Sequence, residues 1–459
     1  MRLTLFRIIQ GPFPSRAHMD DVIPILAGSG GVGLGEARTS HQGRKAIMLV
    51  REGDPAELVA LAETMGIDVI EIEFQTGTPD PKGFFGKGRL QDVGDELSGI
   101  VSGHPWEGVD LVIVHCNATP RQLVNIHNVV GVETWDRVRL LLTLFTSHAS
   151  SVEARTQVRI AQLQADRTIL RELANQQTTG ERAGFGGGGR QAIQNVLGTT
   201  NHELAQLRKR QSKHALARRE RRRQRVKGGA KTVGLAGYTN AGKSSLFLAL
   251  SGKEVLVEDK LFSTLETTIG RMEMSPRILL ADTIGFIDEL PSELLDAFHA
   301  TLDESLECDF LLLLVDSSDS PEELERKLET SRREALERSK DDDRQIQLVF
   351  TKSDKQGDMD EAIAIAADRG FLNPILVSSV DGDGLEILRE RILYSLYGPQ
   401  FIVEVSKGEP NERAAESFFS EIHDLGIVTE FSDYSLTLWC DEGELSRLIS
   451  KSNGRVSIK

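Results

Sequence analysis

Gly237, Tyr238, Thr239, Asn240, Ala241, Gly242, Lys243 and Ser244 stand consecutively and fit the pattern G-x-x-x-x-G-K-[ST]. An apolar run at 233–236 precedes them and a helix-forming run at 245–250 follows. That is the context in which such a loop cradles phosphates. The glycines let backbone N–H groups turn inward. Lys243 would then bridge the β- and γ-phosphates and Ser244 would hold Mg²⁺. The N-terminus of the following helix adds partial positive charge.

The choice of base falls to a second loop. Thr351, Lys352, Ser353 and Asp354 follow an apolar strand at 346–350 and fit [NT]-K-x-D. An ionised Asp354 can accept hydrogen bonds from guanine N1–H and the 2-amino group. Adenine offers neither donor, so a buried carboxylate there would discriminate strongly. Lys352 would lay its stem along the base plane. Thr351 stands where this motif commonly carries Asn, which predicts a looser pocket. Ser378 and Ser379, after a strand at 374–377, are placed to form a further base-contacting loop or an ordinary strand-end turn.

Asp282, Thr283, Ile284 and Gly285 end a strand at 278–281 and fit D-x-x-G. Asp282 would act on Mg²⁺ through a water, and the Gly285 N–H would sense the γ-phosphate. Phe286 follows, where many small GTPases carry a Gln that orients the attacking water. Phenylalanine cannot do this, so slow intrinsic hydrolysis is expected. A switch segment must supply one further hydroxyl to the metal. Phe262, Ser263, Thr264, Leu265 and Glu266 lead into Thr267 and Thr268. Thr264 is favoured as the ligand and Thr268 is second. Lys243, Thr264 and Gly285 are thus the candidate catalytic residues, and Ser244, Thr264 and Asp282 the candidate metal ligands.

These motifs together resemble the HflX family of GTPases. The resemblance rests on the 237–244 loop, the switch segment at 261–268 and the 282–291 run. Upstream it rests on Phe85, Gly86, Lys87, Gly88 and Arg89, and on the stretch 119–164 that starts at Thr119 and Pro120. It spans about residues 44–397. It implies a cytoplasmic GTPase, loaded with GTP or GDP and Mg²⁺, that binds the large ribosomal subunit and splits or rescues stalled ribosomes. Two departures stand out. Glu266 and Thr267 replace the family's usual Asp-Pro, and a glycine run over 184–190 replaces its Gly-Pro-Gly-Glu loop.

A chain of 459 residues with formal net charge −15 has ample core for several domains. Its overall acidity predicts no general nucleic-acid affinity. The charge is uneven, however. Between residues 208 and 227 stand eleven lysines or arginines, Arg208 and Lys227 among them, against one acid, Glu220. Such a block can contact RNA phosphates or form a solvated helix face. Three distant cysteines, Cys116, Cys308 and Cys440, read as reduced and mostly buried thiols. No apolar run reaches the roughly 18 residues of a membrane span. The first ten residues, broken by Arg7, do not read as a signal peptide.

The expected fold is α/β, a P-loop GTPase domain at 229–398. An α/β domain at 44–150 precedes it, with strands at 46–50, 68–74 and 109–116 and helices at 57–65, 121–130 and 138–147. A helical hairpin at 151–228 follows, with helices at 153–176 and 202–226 around a glycine-rich tip flanked by Arg182 and Arg190. A small α+β domain occupies 399–459, with strands at 401–405, 426–431 and 435–439. Residues 1–43 read as a flexible extension, where Gly28, Gly30 and Gly33 mimic a dinucleotide fingerprint without the helix it needs. RNA contact is expected from the 208–227 block and the first α/β domain, in a monomer. Two other functions stay open. One is a nucleotide-timed RNA- or protein-binding switch with negligible turnover. The other is an ATP-using RNA chaperone, against which Asp354 speaks.

Overall fold

The computed structural model describes residues 41–149, 151–178, 188–227, 229–252, 268–273, 277–282, 285–286, 308–337, 345–355, 357–406, 412–432 and 434–459. The readings on the glycines near residue 30, on 184–187 and on the switch segment up to Thr267 lie outside these residues. The chain divides into two compact units at Lys213 and His214.

In the first unit, β1 (Arg44–Val50), β2 (Ile67–Phe74), β3 (Val109–Val114) and β4 (Glu133–Asp136) form a sheet in the order β2-β1-β3-β4. All its pairings are parallel. The crossovers are α1 (Ala56–Thr64), α2 (Lys87–Ser98) and α3 (Pro120–Val130), and α4 (Arg137–His148) follows β4. The boundary of α3 is written in its sequence. Thr119 and Gln122 form a reciprocal capping box, Pro120 sits in the first turn, and Gly131 closes the helix at φ 73. Each device satisfies end groups that a helix leaves orphaned. Gly86 is the N-cap of α2, so the Gly-Lys-Gly element is a loop-to-helix entry.

β4 was not foreseen. Its four residues, Glu-Thr-Trp-Asp, show no apolar alternation, yet Thr134 and Trp135 are fully buried beside β3.

Two long helices follow, α5 (Val152–Thr178) and α6 (Gly188–Lys227). The second starts fourteen residues before the expected 202, the difference between 202 and 188. Gly188, Gly189 and Gly198 weaken the local helix signal. Packing overrides it: Ile193, Val196 and Leu197 cluster with Leu123, Val124, Ile169 and Leu170. Further along, Ile160 and Leu163 pack with Leu204 and Leu207, and Arg159 pairs with Glu203 at 2.9 Å.

The second unit holds a six-stranded sheet in the order β10-β9-β8-β5-β7-β6. Its strands are β5 (Lys231–Gly237), β6 (Thr268–Glu273), β7 (Ile278–Asp282), β8 (Phe310–Asp316), β9 (Ile346–Thr351) and β10 (Ile375–Leu376). The pairings are parallel except β6 with β7. β8 is buried at every residue, as expected for a strand covered on both faces. The helices are α7 (Lys243–Ser251), α8 (Pro321–Glu337), α9 (Met359–Asp368) and α10 (Leu385–Tyr397). Chain order reverses at β5, between β7 and β8. Ligand crevices in α/β sheets form at such switch points.

A last antiparallel sheet, in the order β12-β13-β11-β14, joins β11 (Phe401–Val405), β12 (Gly426–Ser432), β13 (Ser435–Cys440) and β14 (Val456–Ile458). The three-residue β14 is a further strand that sequence reading missed. α11 (Glu412–Leu425) and α12 (Glu442–Lys451) accompany the sheet, and its Trp439 joins the core of the six-stranded layer. The three cysteines form no disulfide, and Cys440 alone among them is buried. That corrects the expectation of mostly buried thiols.

Candidate active site

The phosphate loop leaves β5 through a contact that excludes any side chain. A Cβ on Gly237 would lie 2.3 Å from the Leu314 carbonyl oxygen, and φ there is +152. Asn240 and Gly242 also take left-handed backbone, at φ 61 and 76. This winding turns the loop into the first turn of α7. Lys243 is buried, and its Nζ donates to the Tyr238 carbonyl at 2.8 Å. Burial pushes its ammonium down to about 8, opposed by Asp282 and assisted by Lys352. A lysine held in this way is poised for an anion that restores its charge.

Ser244 and Asp282 meet beside the loop, where the Ser244 hydroxyl donates to Asp282 Oδ2 at 2.8 Å. Asp282 is fully buried. Next to it, a Cβ on Gly285 would lie 2.6 Å from Lys243 Nζ and 2.8 Å from Thr239 Cα, so only glycine fits. Phe286 then bonds back to the loop. Its N–H donates to Gly237 O at 2.9 Å, and its carbonyl accepts from Thr239 N at 2.8 Å. Its side chain is 2 % exposed. Thr283 and Ile284 lie outside the described residues, as do Phe262, Ser263, Thr264, Leu265 and Glu266. Thr268 opens β6 directly opposite Asp282 in the strand register.

Thr351 is tied into the phosphate loop and the strand beside it. Its hydroxyl lies 2.9 Å from the Ala241 carbonyl and 3.2 Å from that of Val315, which ties the phosphate loop to β8 and β9. A hydroxyl reaches from here because β9 runs close to the loop: Thr351 atoms stand 3.4 Å from a Cβ position on Gly242. Asp354 accepts a 2.8 Å bond from the Ser378 hydroxyl. Ser378 is buried, and its oxygen accepts from the N–H groups of Val380 at 3.2 Å and Asp381 at 3.1 Å. Ser378 therefore orients the carboxylate, while Ser379 is half-buried beside it. Ser353 N donates to Val377 O at 3.3 Å, joining the two loops.

The structure adds residues that sequence reading passed over. Asp316, the last residue of β8, pairs with Lys352 at 2.6 Å. It lines a cleft with the loop residues Tyr238 to Ala241, Val315, Asp319 and Lys327. Arg326 and Lys327 stand over the Tyr238 ring at 5.3 and 5.6 Å, within cation–π range. No sequence pattern announces these contacts, since Asp316 reads as the end of an apolar strand and Arg326 as a surface charge on a charged helix.

The residues present suit a nucleoside phosphate with Mg²⁺. A glycine-shaped cradle and a buried lysine face the phosphate position. A hydroxyl beside a buried carboxylate is a hard-oxygen donor pair of the kind Mg²⁺ prefers. Among the described residues no group of three His, Cys, Asp or Glu forms an all-protein metal cage. No described helix is long and apolar enough to cross a membrane.

The central reversal at β5, the cradle and the Asp354 loop define a P-loop GTPase. Residues 232–352 match the family described as 50S ribosome-binding GTPase, and 52–146 match the GTP-binding GTPase N-terminal family. The chain is 32% identical over 397 residues to a GTPase HflX of Methanocaldococcus jannaschii, covering 86% of this chain and 94% of the relative. It is 34% identical over 369 residues to a GTPase HflX of Thermofilum pendens, covering 78% and 85%. Among solved structures, a GTP-binding protein of Sulfolobus solfataricus in complex with GDP is 23% identical, covers 77% of this chain and 98% of its own, and superposes with a TM-score of 0.42. The chain belongs to the HflX family of GTPases.

Proposed function

We propose that the protein is a Mg²⁺-dependent GTPase of the cytoplasm that binds the ribosome, mainly through the large subunit, and splits or rescues stalled ribosomes. The observation that carries the nucleotide half is the meeting of Lys243, Ser244, Asp282 and Gly285 within one cradle. The partner half is supported by the match of 232–352 to a family described as 50S ribosome-binding. We divide the chain functionally as a 1–43 extension, a 44–150 α/β domain, a 151–228 hairpin, a 229–398 GTPase domain and a 399–459 appendage. It acts as a monomer.

The loop N–H groups and Lys243 bind the phosphates and stabilise charge that builds on them during transfer to water. Lys352 and Asp354 select guanine, and Ser378 keeps Asp354 aimed. Ser244 and Asp282 hold Mg²⁺, which neutralises charge on the β- and γ-phosphate oxygens. The third protein oxygen comes from the switch. Thr264 is favoured for it, and Thr268, opposite Asp282 in the strand register, is second. No general base stands among these residues, so rate comes from positioning.

Phosphate contacts to ribosomal RNA fall to the basic block of α6, where Arg208, Lys209, Arg210, Lys213, Arg221 and Arg223 are exposed, and to the first α/β domain. The deciding measurement is GTP hydrolysis with and without purified large subunits at two salt concentrations. Salt-sensitive stimulation supports the reading. Absent stimulation with intact nucleotide binding favours the second reading, a timed switch with negligible turnover, to which the buried Phe286 side chain lends weight.

A further inference from the structure

Lys352 occupies an unusual position for the side chain that is to wall the guanine base. Its backbone is left-handed at φ 58, a conformation uncommon outside glycine. Its four-carbon stem carries large rotamer freedom, which must be given up for the stem to lie flat. Something has to fix both ends. The backbone end is fixed by neighbours: Ser317 N donates to the Thr351 carbonyl at 3.0 Å, and the Ser317 hydroxyl to the same oxygen at 2.8 Å. The ammonium end is fixed by Asp316, whose Oδ2 lies 2.6 Å from Lys352 Nζ, with side chains 12 % and 20 % exposed.

Asp316 is itself immobilised. Its other oxygen, Oδ1, accepts from Ser318 N at 3.0 Å and from the Ser318 hydroxyl at 2.7 Å. It ends β8 in register with Thr351, one residue before Lys352. Burial pushes its carboxyl up, but Lys352 and the two Ser318 bonds outweigh this and hold it below the usual carboxylate range. The ion pair is therefore formed throughout the neutral range. It is largely shielded from solvent, where screening by salt is weaker than at an open surface.

We propose that Asp316 is a positioning residue of the guanine site, which holds the Lys352 stem against the base and so sets the affinity for GDP and GTP alike. The proposal rests on the reading of Lys352 as a base contact. Asp316 touches no reacting atom. It acts before chemistry, on the ground state and the transition state equally, so it should change binding without changing the rate at saturation.

The test is a double-mutant cycle in the full chain, read by stopped-flow binding of a fluorescent GDP analogue and by single-turnover hydrolysis at saturating GTP. Asp316→Asn keeps the volume but removes the charge. It should weaken GDP about tenfold, mostly through faster release, and leave the saturated rate within about twofold. Ser318→Ala leaves the charge and the backbone bond but removes the hydroxyl bond to Asp316 Oδ1, and should weaken GDP about threefold. Because Ser318 is partly exposed, it serves should Asp316→Asn fold poorly. Lys352→Ala should weaken GDP about tenfold or more, and adding Asp316→Asn should cost nothing further. If Lys352→Ala leaves GDP affinity intact, the reading of the base site fails. If Lys352→Ala weakens binding while Asp316→Asn and Ser318→Ala do not, the positioning role is overturned. Additive losses in the double variant also overturn it, because Asp316 would then act by a route other than Lys352.

Discussion

Binding of GDP should take up a proton, and Lys243 is the reason. Without nucleotide its ammonium is pushed down to about 8 by burial, against the pull of Asp282. At pH 8 about half the molecules therefore carry a neutral amine at the phosphate position. A diphosphate beside that amine favours the charged form and returns its pKa to the ordinary lysine range or above. The expected uptake is about 0.1 proton at pH 7, about 0.5 at pH 8 and about 0.75 at pH 8.5. Affinity should fall about twofold from pH 7 to 8 and about fourfold by pH 8.5. The assay is calorimetric titration with GDP in buffers of different ionisation enthalpy, where the slope of observed heat against buffer enthalpy counts protons.

The same group predicts the stability profile. The folded pKa lies below the ordinary lysine value of 10.5, so between about 8 and 10.5 the unfolded chain binds more protons than the folded one. In this window Lys243 makes the nucleotide-free protein more stable as pH rises. Below it, the full strain of about 3 kcal/mol is present. Nucleotide removes that strain, so the thermal shift caused by GDP should shrink as pH rises through 8. A buffer-independent heat at pH 8, with affinity flat from pH 7 to 8.5, would refute the argument. Lys243 would then be charged before nucleotide arrives.

Three further substitutions test the frame around the lysine. Gly285→Ala places a methyl 2.6 Å from Lys243 Nζ and 2.8 Å from Thr239 Cα; it should cost about a hundredfold in single-turnover GTP hydrolysis and lower the unfolding midpoint, since the Thr239 backbone must shift to admit it. Thr351→Val removes a hydroxyl bonded to Ala241 O at 2.9 Å and should lower the unfolding free energy in urea by about 1–2 kcal/mol, with faster GDP release. Ser378→Ala leaves Asp354 without its 2.8 Å donor and should weaken GDP about fivefold in equilibrium titration, while the hydrolysis rate at saturation holds.

β6, Thr-Ile-Gly-Arg-Met-Glu, carries no apolar run and was not foreseen, but the other five strands of the six-stranded layer were open to sequence reading because each carries one. β8 shows why: seven buried residues leave no polar alternation to confuse the pattern. β4 lacked that signal, since Glu133 and Asp136 bracket it and its burial comes from parallel pairing with β3. The first turns of α6 carry glycines that local propensity counts against a helix, and their stability comes from distant partners such as Leu123 and Leu170. The same holds at the site. Motif spacing names Lys352 and Asp354, but the groups that hold them, Asp316 and Ser378, depend on which strand ends lie side by side. Thr351 shows the limit most clearly. As a departure from Asn it suggests a looser base pocket; what the sequence leaves unseen is that its hydroxyl spans two carbonyls, of Ala241 and Val315, far apart along the chain.

Phe286 narrows what the catalytic step can use. Its backbone extends the β5 side of the sheet by two hydrogen bonds to the phosphate loop, and its ring is buried. A glutamine at this position would have to leave the core and break that pairing to reach an attacking water. The chain has instead made residue 286 part of the cradle's foundation, so that Gly285 is anchored between a fully buried Asp282 and a hydrogen-bonded Phe286. On the proposed function, the Gly285 N–H reports on the γ-phosphate with little travel, but nothing at 286 can hold water. In that reading, the orienting group comes from the switch or from the bound partner. This makes the ratio of partner-stimulated to intrinsic hydrolysis the quantity most sensitive to this fold. Phe286→Gln should lower thermal stability by loss of a buried ring without raising the intrinsic rate, because the pinned backbone keeps the new side chain pointed into the core. A rise in intrinsic hydrolysis of about tenfold or more would show that the pairing at 286 opens readily and that the cradle is less fixed than its hydrogen bonds imply.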